Sequence, residues 1–222
     1  MQDVSSVVDN GDSITLNMTA TAGEFTPKLY LSFEDLDTLR MELSPTGKET
    51  GHAGKTGYTV DDGADKVTVT TEDLRVEIQN LLTAWKCTSR RNFTYKRIYN
   101  CQQLRLVNRW KNVINQYQNN FMTPSDEAFY GFGERYDTIN QRGKDVETYV
   151  YNEYQDQAQT ERTYLAVPFF VSANKYGMYV NSDFHSQFQM ASKVEDKYSF
   201  VLDNDGDMTN MLDYYVLAGK IK

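Results

Sequence analysis

The chain has 222 residues, a formal net charge of −8 and 40% hydrophobic residues, enough for one large β-domain or two small ones with a sizeable core. Its acidic balance argues against general affinity for nucleic acid or for an anionic membrane surface. No run approaches the roughly 18 apolar residues of a membrane span, so no partner in the bilayer is expected.

The opening MQDVSSVVDNGDS has neither a basic region nor an apolar core. It reads as a cytoplasmic start, unless a signal peptide has already been removed. From Ser13 to Thr21, Ile14, Leu16, Met18 and Ala20 alternate with Thr15, Asn17, Thr19 and Thr21, the period of a half-buried strand. Leu29 to Phe33 and Asp37 to Leu43 follow as strands. Residues Ser44 to Gly63 carry five glycines and read as loop, with a short strand at Tyr58-Thr59-Val60. Lys66 to Thr71 alternates around Val67 and Val69, and Leu74, Val76 and Ile78 keep period two. The turn Thr71-Glu72-Asp73 makes the pair a hairpin.

From Ile78 to Ser125 there is no Asp or Glu, but eight basic residues (Lys86, Arg90, Arg91, Lys96, Arg97, Arg105, Arg109 and Lys111) are interleaved with Trp85, Tyr95, Tyr99, Trp110 and Tyr117. Such interleaving can bind single-stranded nucleic acid. In an acidic chain with no nucleic-acid motif, the better reading is a face paired with acidic residues, and no nucleic-acid partner is expected. Leu104 and Leu106 favour a strand, while Val107, Trp110 and Ile114 have helical spacing; strands are the expectation. Thr123-Pro124-Ser125-Asp126 is a turn. Beyond the central stretch, Asp183 to Ala191, Lys197 to Leu202 and Leu212 to Gly219 read as strands. Asp203-Asn204-Asp205-Gly206-Asp207 fails the calcium-loop template: its glycine stands at position four and Tyr214 at position twelve. It reads as an acidic hairpin turn.

Cys87 and Cys101 are expected to be reduced and unpaired, since two cysteines make no secreted scaffold. His52 and His185 stand far apart with no Cys/His cluster, so no metal site and no cofactor are expected. Gly131-x-Gly133 lacks the third glycine of a dinucleotide loop, the position being Tyr136. No P-loop and no Gly-x-Ser-x-Gly elbow occurs. A glycosidic pair of carboxylates cannot be singled out by count among 31 acidic residues.

The most informative stretch runs from Phe129 to Asn181. It opens with Phe129-Tyr130-Gly131-Phe132-Gly133-Glu134-Arg135-Tyr136-Asp137 and Asn140-Gln141-Arg142-Gly143. It continues with Val146-Glu147-Thr148, Val167-Pro168-Phe169-Phe170-Val171-Ser172 and Tyr176-Gly177-Met178-Tyr179-Val180-Asn181. Glycines among aromatics predict a tight bend under rings, and LAVPFFVS and YGMYVN predict two strands joined by Ala-Asn-Lys. These blocks resemble the N-terminal domain of glycoside hydrolase family 31, the α-glucosidase and α-xylosidase family.

The resemblance implies an all-β fold: an antiparallel β-sandwich of the galactose-mutarotase-like type, standing before a (β/α)8 barrel. Residues 1–222 would form that single domain, and the segment DYYVLAGKIK resembles the strand that precedes the barrel. The two catalytic carboxylates of the retaining mechanism would lie on the barrel of the same polypeptide, so no catalytic residue is expected here. The parent would hydrolyse α-glycosidic bonds, most naturally α-glucosides, in an oligo- or disaccharide. In many members a loop after the equivalent of Val146-Glu147-Thr148 carries Asn-Arg-Asp or Asn-Thr-Asp and shapes the leaving-group subsite. Here the ungapped match puts Asn152 at the aspartate's position, with Glu153 or Asp156 serving if the loop is shifted. Tyr151, with Tyr149 and Tyr154, can stack on a sugar or fill core. Gly131, Gly133, Glu134, Arg135, Arg142 and Gly143 are expected to build the bend, Glu134 and Arg142 by charge-assisted hydrogen bonds. The alternative is a free-standing carbohydrate-binding module with an exposed aromatic platform.

Overall fold

The computed structural model describes residues 3–19, 26–48, 53–55, 57–79, 85–89, 96–107, 116–150, 163–207 and 209–218, with backbone alone at 85 and 96–107. The strands are β1 (Val4–Asp9), β2 (Ser13–Met18), β3 (Lys28–Asp35), β4 (Thr38–Ser44), β5 (Thr59–Asp62), β6 (Lys66–Thr70), β7 (Leu74–Gln79), β8 (Trp85–Ser89) and β9 (Lys96–Val107). They continue as β10 (Gln116–Met122), β11 (Phe129–Gly133), β12 (Asp145–Thr148), β13 (Ala166–Ser172), β14 (Tyr176–Val180), β15 (Ser186–Met190), β16 (Lys197–Asp203) and β17 (Leu212–Leu217).

Among the described residues these form two antiparallel sheets, of eight strands in the order β1-β2-β3-β4-β17-β14-β13-β11 and of nine in the order β12-β15-β16-β10-β9-β8-β7-β6-β5. The expected all-β sandwich is what the chain builds. Alternation does the sorting. On β7, Leu74, Val76 and Ile78 are buried while Arg75 and Glu77 face partly outward. On β16 and β17, Tyr198, Phe200, Leu202, Leu212, Tyr214 and Val216 point into the shared core. Each such fully buried side chain contributes about 1.5–3 kcal/mol of transfer free energy. Asn119 is fully buried in that core and is satisfied, donating to the Tyr214 hydroxyl at 3.1 Å.

Around β4 the eight-stranded sheet is buried on its outer face as well. Leu39, Met41 and Leu43 of β4 face inward, yet Arg40, Glu42 and Ser44 between them are also buried. Arg40 makes a two-pronged contact with Asp213 (Nε to Oδ1 3.0 Å, a terminal nitrogen to Oδ2 2.7 Å) and reaches Glu42 at 3.2 Å. Asn181 donates to the same carboxylate at 2.6 Å. Burial opposes the guanidinium's charge, but Asp213 outweighs it and holds Arg40 above its ordinary range. At the far edges, the Tyr58 hydroxyl lies 2.8 Å from both Asp9 Oδ1 and the Ser13 carbonyl and shares its one proton between them, tying the approach to β5 onto the β1–β2 turn.

The predicted hairpins β6–β7 and β13–β14 are both paired as expected. Residues 96–107 are strand, so the strand reading of Leu104 and Leu106 holds. The acidic segment Asp203 to Asp207 is no hairpin turn: β16 and β17 lie in different sheets, and the segment carries the chain from one to the other. Its side chains close on its own backbone, Asp205 accepting from the Asp207 amide and Asp207 from that of Thr209. Cys87 is buried and free, and burial pushes its thiol up to about 12. The Cys101 side chain lies outside the described residues.

Of the basic set, Lys86 has a described side chain, and it lies 3.4 Å from Glu77. Glu77 also takes Lys66 and, at 3.2 Å, Arg75. The Lys66 hydrogen bond leads in holding the Glu77 carboxyl below its ordinary 4.5, against burial, with Arg75 and Lys86 adding charge. A carboxyl depressed in the folded state stabilises above its unfolded pKa, and that contribution is lost as pH falls through the folded value. Glu77→Gln is therefore expected to cost about 1 kcal/mol at pH 7, kept small by screening at the partly exposed cations. Urea titration at pH 7 and at about pH 3 should show the gap between variant and wild type closing at the lower pH.

Candidate functional site

The bend at Gly131-Phe132-Gly133 places three consecutive residues at positive φ, of +133°, +68° and +84°. Across the ladder, Gly131 pairs with Phe170 and Gly133 with Ala166, so three residues of β13 bulge opposite Phe132 alone. Pro168 stands in that bulge, where its missing N–H costs no ladder bond. The backbones then touch: a Cβ at Gly133 would lie 2.0 Å from the Leu165 carbonyl oxygen, and one at Gly131 2.6 Å from that of Phe169. The left-handed φ at Phe132 is unfavourable for a bulky side chain. Its ring is buried 5.3 Å from Phe170 of the same sheet and 5.0 Å from Phe188 of the opposite one.

Arg135 holds the bend from outside, donating to the Phe132 carbonyl at 3.2 Å and to the Glu147 carbonyl at 2.7 Å. Glu134 contributes its amide, to Leu165 at 2.9 Å. Its side chain takes the Tyr136 hydroxyl, and that hydrogen bond leads in raising the tyrosine's pKa. Arg142 grips a different corner. It donates to Thr123 Oγ1 and the Glu127 carbonyl, both at 3.1 Å, and to the Glu195 carbonyl at 2.6 Å. Gly143 turns at φ +81° and gives its amide to Met190.

Through Arg135 the bend meets the end of β12. Glu147 and Thr148 pair with Gln187 and Ser186 of β15. His185 lies between two carboxylates, Nε2 2.6 Å from Glu147 Oε1 and Nδ1 2.8 Å from Asp203 Oδ2. Gln116 donates to the other Asp203 oxygen at 2.8 Å. The Tyr149 ring meets the imidazole edge-on at 5.9 Å. Val150 then bridges to Thr163. Tyr151, Asn152, Glu153 and Asp156 fall between these anchors and lie outside the described residues. What the structure places is the base of their segment, not the four side chains.

Exposed aromatic and aliphatic residues neighbour that base in the chain. Tyr136, Tyr149, Val150, Tyr164, Leu165 and Phe184 are 36–60% exposed, drawn from four separate stretches of chain. Among the described residues no group of three His, Cys, Asp or Glu is arranged to hold a metal ion. Sequence reading singled out neither the His185 pairings nor this rim. Glu147, His185 and Asp203 are far apart in sequence and meet only because β12, β15 and β16 are neighbours.

The sequence profile of the glycosyl hydrolase 31 N-terminal galactose mutarotase-like domain matches residues 16–189. The isomaltosyltransferase of Sporosarcina globispora is 36% identical over 97% of this chain, which spans 20% of that protein. The cycloalternan-forming enzyme of Listeria monocytogenes, solved with a pentasaccharide substrate, is 80% identical over 99% of the chain with a TM-score of 0.92, and the chain spans 21% of it. A dextranase of Flavobacterium johnsoniae solved with isomaltotriose has the same fold, at TM-score 0.81 and 18% identity over 99% of this chain and 26% of its own.

The bend yields a paired test. Gly133→Ala adds a backbone clash to left-handed strain and is expected to cost about 3 kcal/mol or more. At Gly143 a Cβ meets nothing within 4 Å, so Gly143→Ala should cost only the strain, about 1–2 kcal/mol. Urea denaturation of the two variants checks the order.

Proposed function

This chain belongs to the glycosyl hydrolase 31 N-terminal galactose mutarotase-like domain family, and from that membership we propose that it serves an enzyme that cleaves α-glucosidic bonds in oligosaccharides. The catalytic carboxylates stand on a (β/α)8 barrel of the same polypeptide. The observation that carries the reading is the 80% identity, over 99% of the chain, to the corresponding part of the cycloalternan-forming enzyme. The isomaltosyltransferase supports the same chemistry at greater distance. Both names describe making new sugar–sugar bonds, so the parent passes its glycosyl unit to an acceptor sugar more readily than to water.

In this reading the domain does two things. Its apolar rim (Tyr136, Tyr149, Val150, Tyr164, Leu165 and Phe184) packs against the barrel; exposed apolar clusters of this kind mark contact surfaces. The segment that leaves β12 beside the rim carries Tyr151, Asn152, Glu153 and Asp156 to the mouth of the barrel. There, their amide and carboxylate groups hydrogen-bond hydroxyls of the leaving-group or acceptor sugar, and Tyr151 offers a stacking face. Cleavage by the retaining route needs its two carboxyl groups about 5–5.5 Å apart across the scissile bond; the domain's part is to hold the sugar beyond it.

Assays of α-linked gluco-oligosaccharides, aryl α-glucoside and aryl α-xyloside test this. The chain alone is expected to be inactive, and the polypeptide that includes the barrel to be active on the glucosides, with longer oligosaccharide products exceeding free glucose. Robust cleavage by the 222 residues alone would overturn the assignment of catalysis to the barrel.

A further inference from the structure

β1 edges the eight-stranded sheet and β5 the nine-stranded one, at the ends of the two strand orders away from the Phe132 bend. The turn between β1 and β2 clasps these edges together. Tyr58, just before β5, shares its hydroxyl proton between Asp9 and the Ser13 carbonyl, and its ring lies 5.7 Å from that of Phe33. The Gly54 amide donates to the Asp12 carbonyl at 2.9 Å. The two backbones are so close that a Cβ at Gly54 would lie 2.7 Å from that oxygen.

The clasp contains Asn10-Gly11, the one place in the sequence where asparagine precedes glycine. Such a pair is labile, because the glycine nitrogen can attack the asparagine side-chain carbonyl with no side chain of its own in the way. Asn10 and Gly11 are exposed. Gly11 turns at φ +87°, and a Cβ there would meet nothing within 4 Å, so the turn has room for the ring that the attack closes. Three hydrogen bonds restrain it. Asn10 Nδ2 donates to Thr15 Oγ1 at 3.0 Å and to Ser13 Oγ at 3.3 Å. The Gly11 amide donates to Asp9 Oδ1 at 2.9 Å, and that bond, with the Tyr58 hydroxyl second, holds the Asp9 carboxyl below its ordinary 3.8. All three lie at or near the surface, where water competes for the partners and local opening costs little.

We propose that Asn10 is a site of spontaneous deamidation, and that the change loosens the clasp between the two sheet edges. The Gly11 nitrogen bonds to Asn10 Cγ and gives up its proton. The bond from Cγ to Nδ2 breaks, and Nδ2 leaves with that proton as ammonia. The product is a five-membered succinimide, to which water then adds. Addition at one carbonyl leaves aspartate. Addition at the other leaves isoaspartate, which routes the main chain through the former side chain and lengthens the turn by one carbon. No oxidant or reductant takes part. Either product exchanges the donors that face Ser13 and Thr15 for a carboxylate in the stretch that already holds Asp9 and Asp12. Like charges then strain the turn, and its grip on Tyr58 and Gly54 weakens.

The experiment incubates the full chain in mildly alkaline buffer and follows Asn10 by peptide mapping and mass spectrometry. The first Lys or Arg is Lys28, so a tryptic peptide carries both Asn10 and Asn17, and Asn17 in β2 serves as the internal control. Asn10 is expected to convert at least about tenfold faster than Asn17, whose strand must open first, and to give isoaspartate along with aspartate. Gly11→Ala, which sets a methyl group beside the attacking nitrogen, should slow the conversion of Asn10. Repeating both chains unfolded in urea keeps that comparison valid if the variant folds poorly. The modified fraction, separated by its added negative charge, is expected to show amide exchange at Gly54 and Lys55 about tenfold faster, as the loss of one to two net hydrogen bonds would give. Asn10 converting no faster than Asn17, or unmoved by Gly11→Ala both folded and unfolded, would overturn the site. Conversion with unchanged exchange at Gly54 and Lys55 would overturn the clasp.

Discussion

The aromatic wedge at Phe132 is the constraint on which this end of the molecule depends. Two sheets can close into a sandwich only where their edges meet without exposing the core, and here β11 edges one sheet while β12 edges the other. Phe132 fills the seam, its ring against Phe170 on one side and Phe188 on the other. To reach that position its backbone adopts φ +68°, costing about 1–2 kcal/mol of strain. Burial of an aromatic ring between two others returns more than that. The flanking glycines follow from it, because the displaced backbone runs too close to Leu165 and Phe169 for any Cβ.

Polar groups finish what the wedge begins. Arg135 spans from the Phe132 carbonyl to the Glu147 carbonyl, so the strained bend and the short edge strand share one guanidinium. Arg142 does the same for the corner at Thr123 and Glu127 and for the turn at Glu195. Charged donors on carbonyl oxygens are worth about 1.5–3 kcal/mol each when their removal strands an acceptor. Arginine suits both places because its planar fork reaches two or three acceptors at once. On the outer sheet face Arg40 plays a related part with Asp213 and Glu42, there holding side chains instead of loops.

Much of the fold was legible because burial follows alternation: β2, β6 and β7 place the apolar residues Ile14, Leu16, Met18, Val67, Val69, Leu74, Val76 and Ile78 inside as predicted. The bend was legible as glycines among aromatics, though not its handedness, since sequence does not show which ring needs room. Alternation on β4 does not announce that Arg40 and Glu42 are buried too, because what lies over a sheet's outer face is a long-range matter. The acidic run Asp203 to Asp207 failed for a similar reason. Its Asp and Gly residues serve a hairpin and a sheet-to-sheet crossing equally well, and only the partner of β17 decides between them. Of the candidate site, resemblance located Val146 to Thr148 and the segment beyond, while the meeting of Glu147, His185 and Asp203 depends on pairings between distant strands. Tyr151, Asn152, Glu153 and Asp156 lie outside the described residues, so their assignment still rests on resemblance.

β17, the last of the described strands, is not at an edge. It sits between β4 and β14, joining the N-terminal strands of its sheet to the later ones. A ribosome delivers β4 long before β17, so β4 presents a bare edge until β17 emerges, and β14 does so for the shorter interval after its own synthesis. Bare edges invite pairing with other chains, and contacts so distant in sequence form slowly. The eight-stranded sheet therefore stays in two parts until β17 arrives and draws them together like a zip. Charged Arg40 and Glu42 along the waiting edge help keep nascent chains apart in the interval.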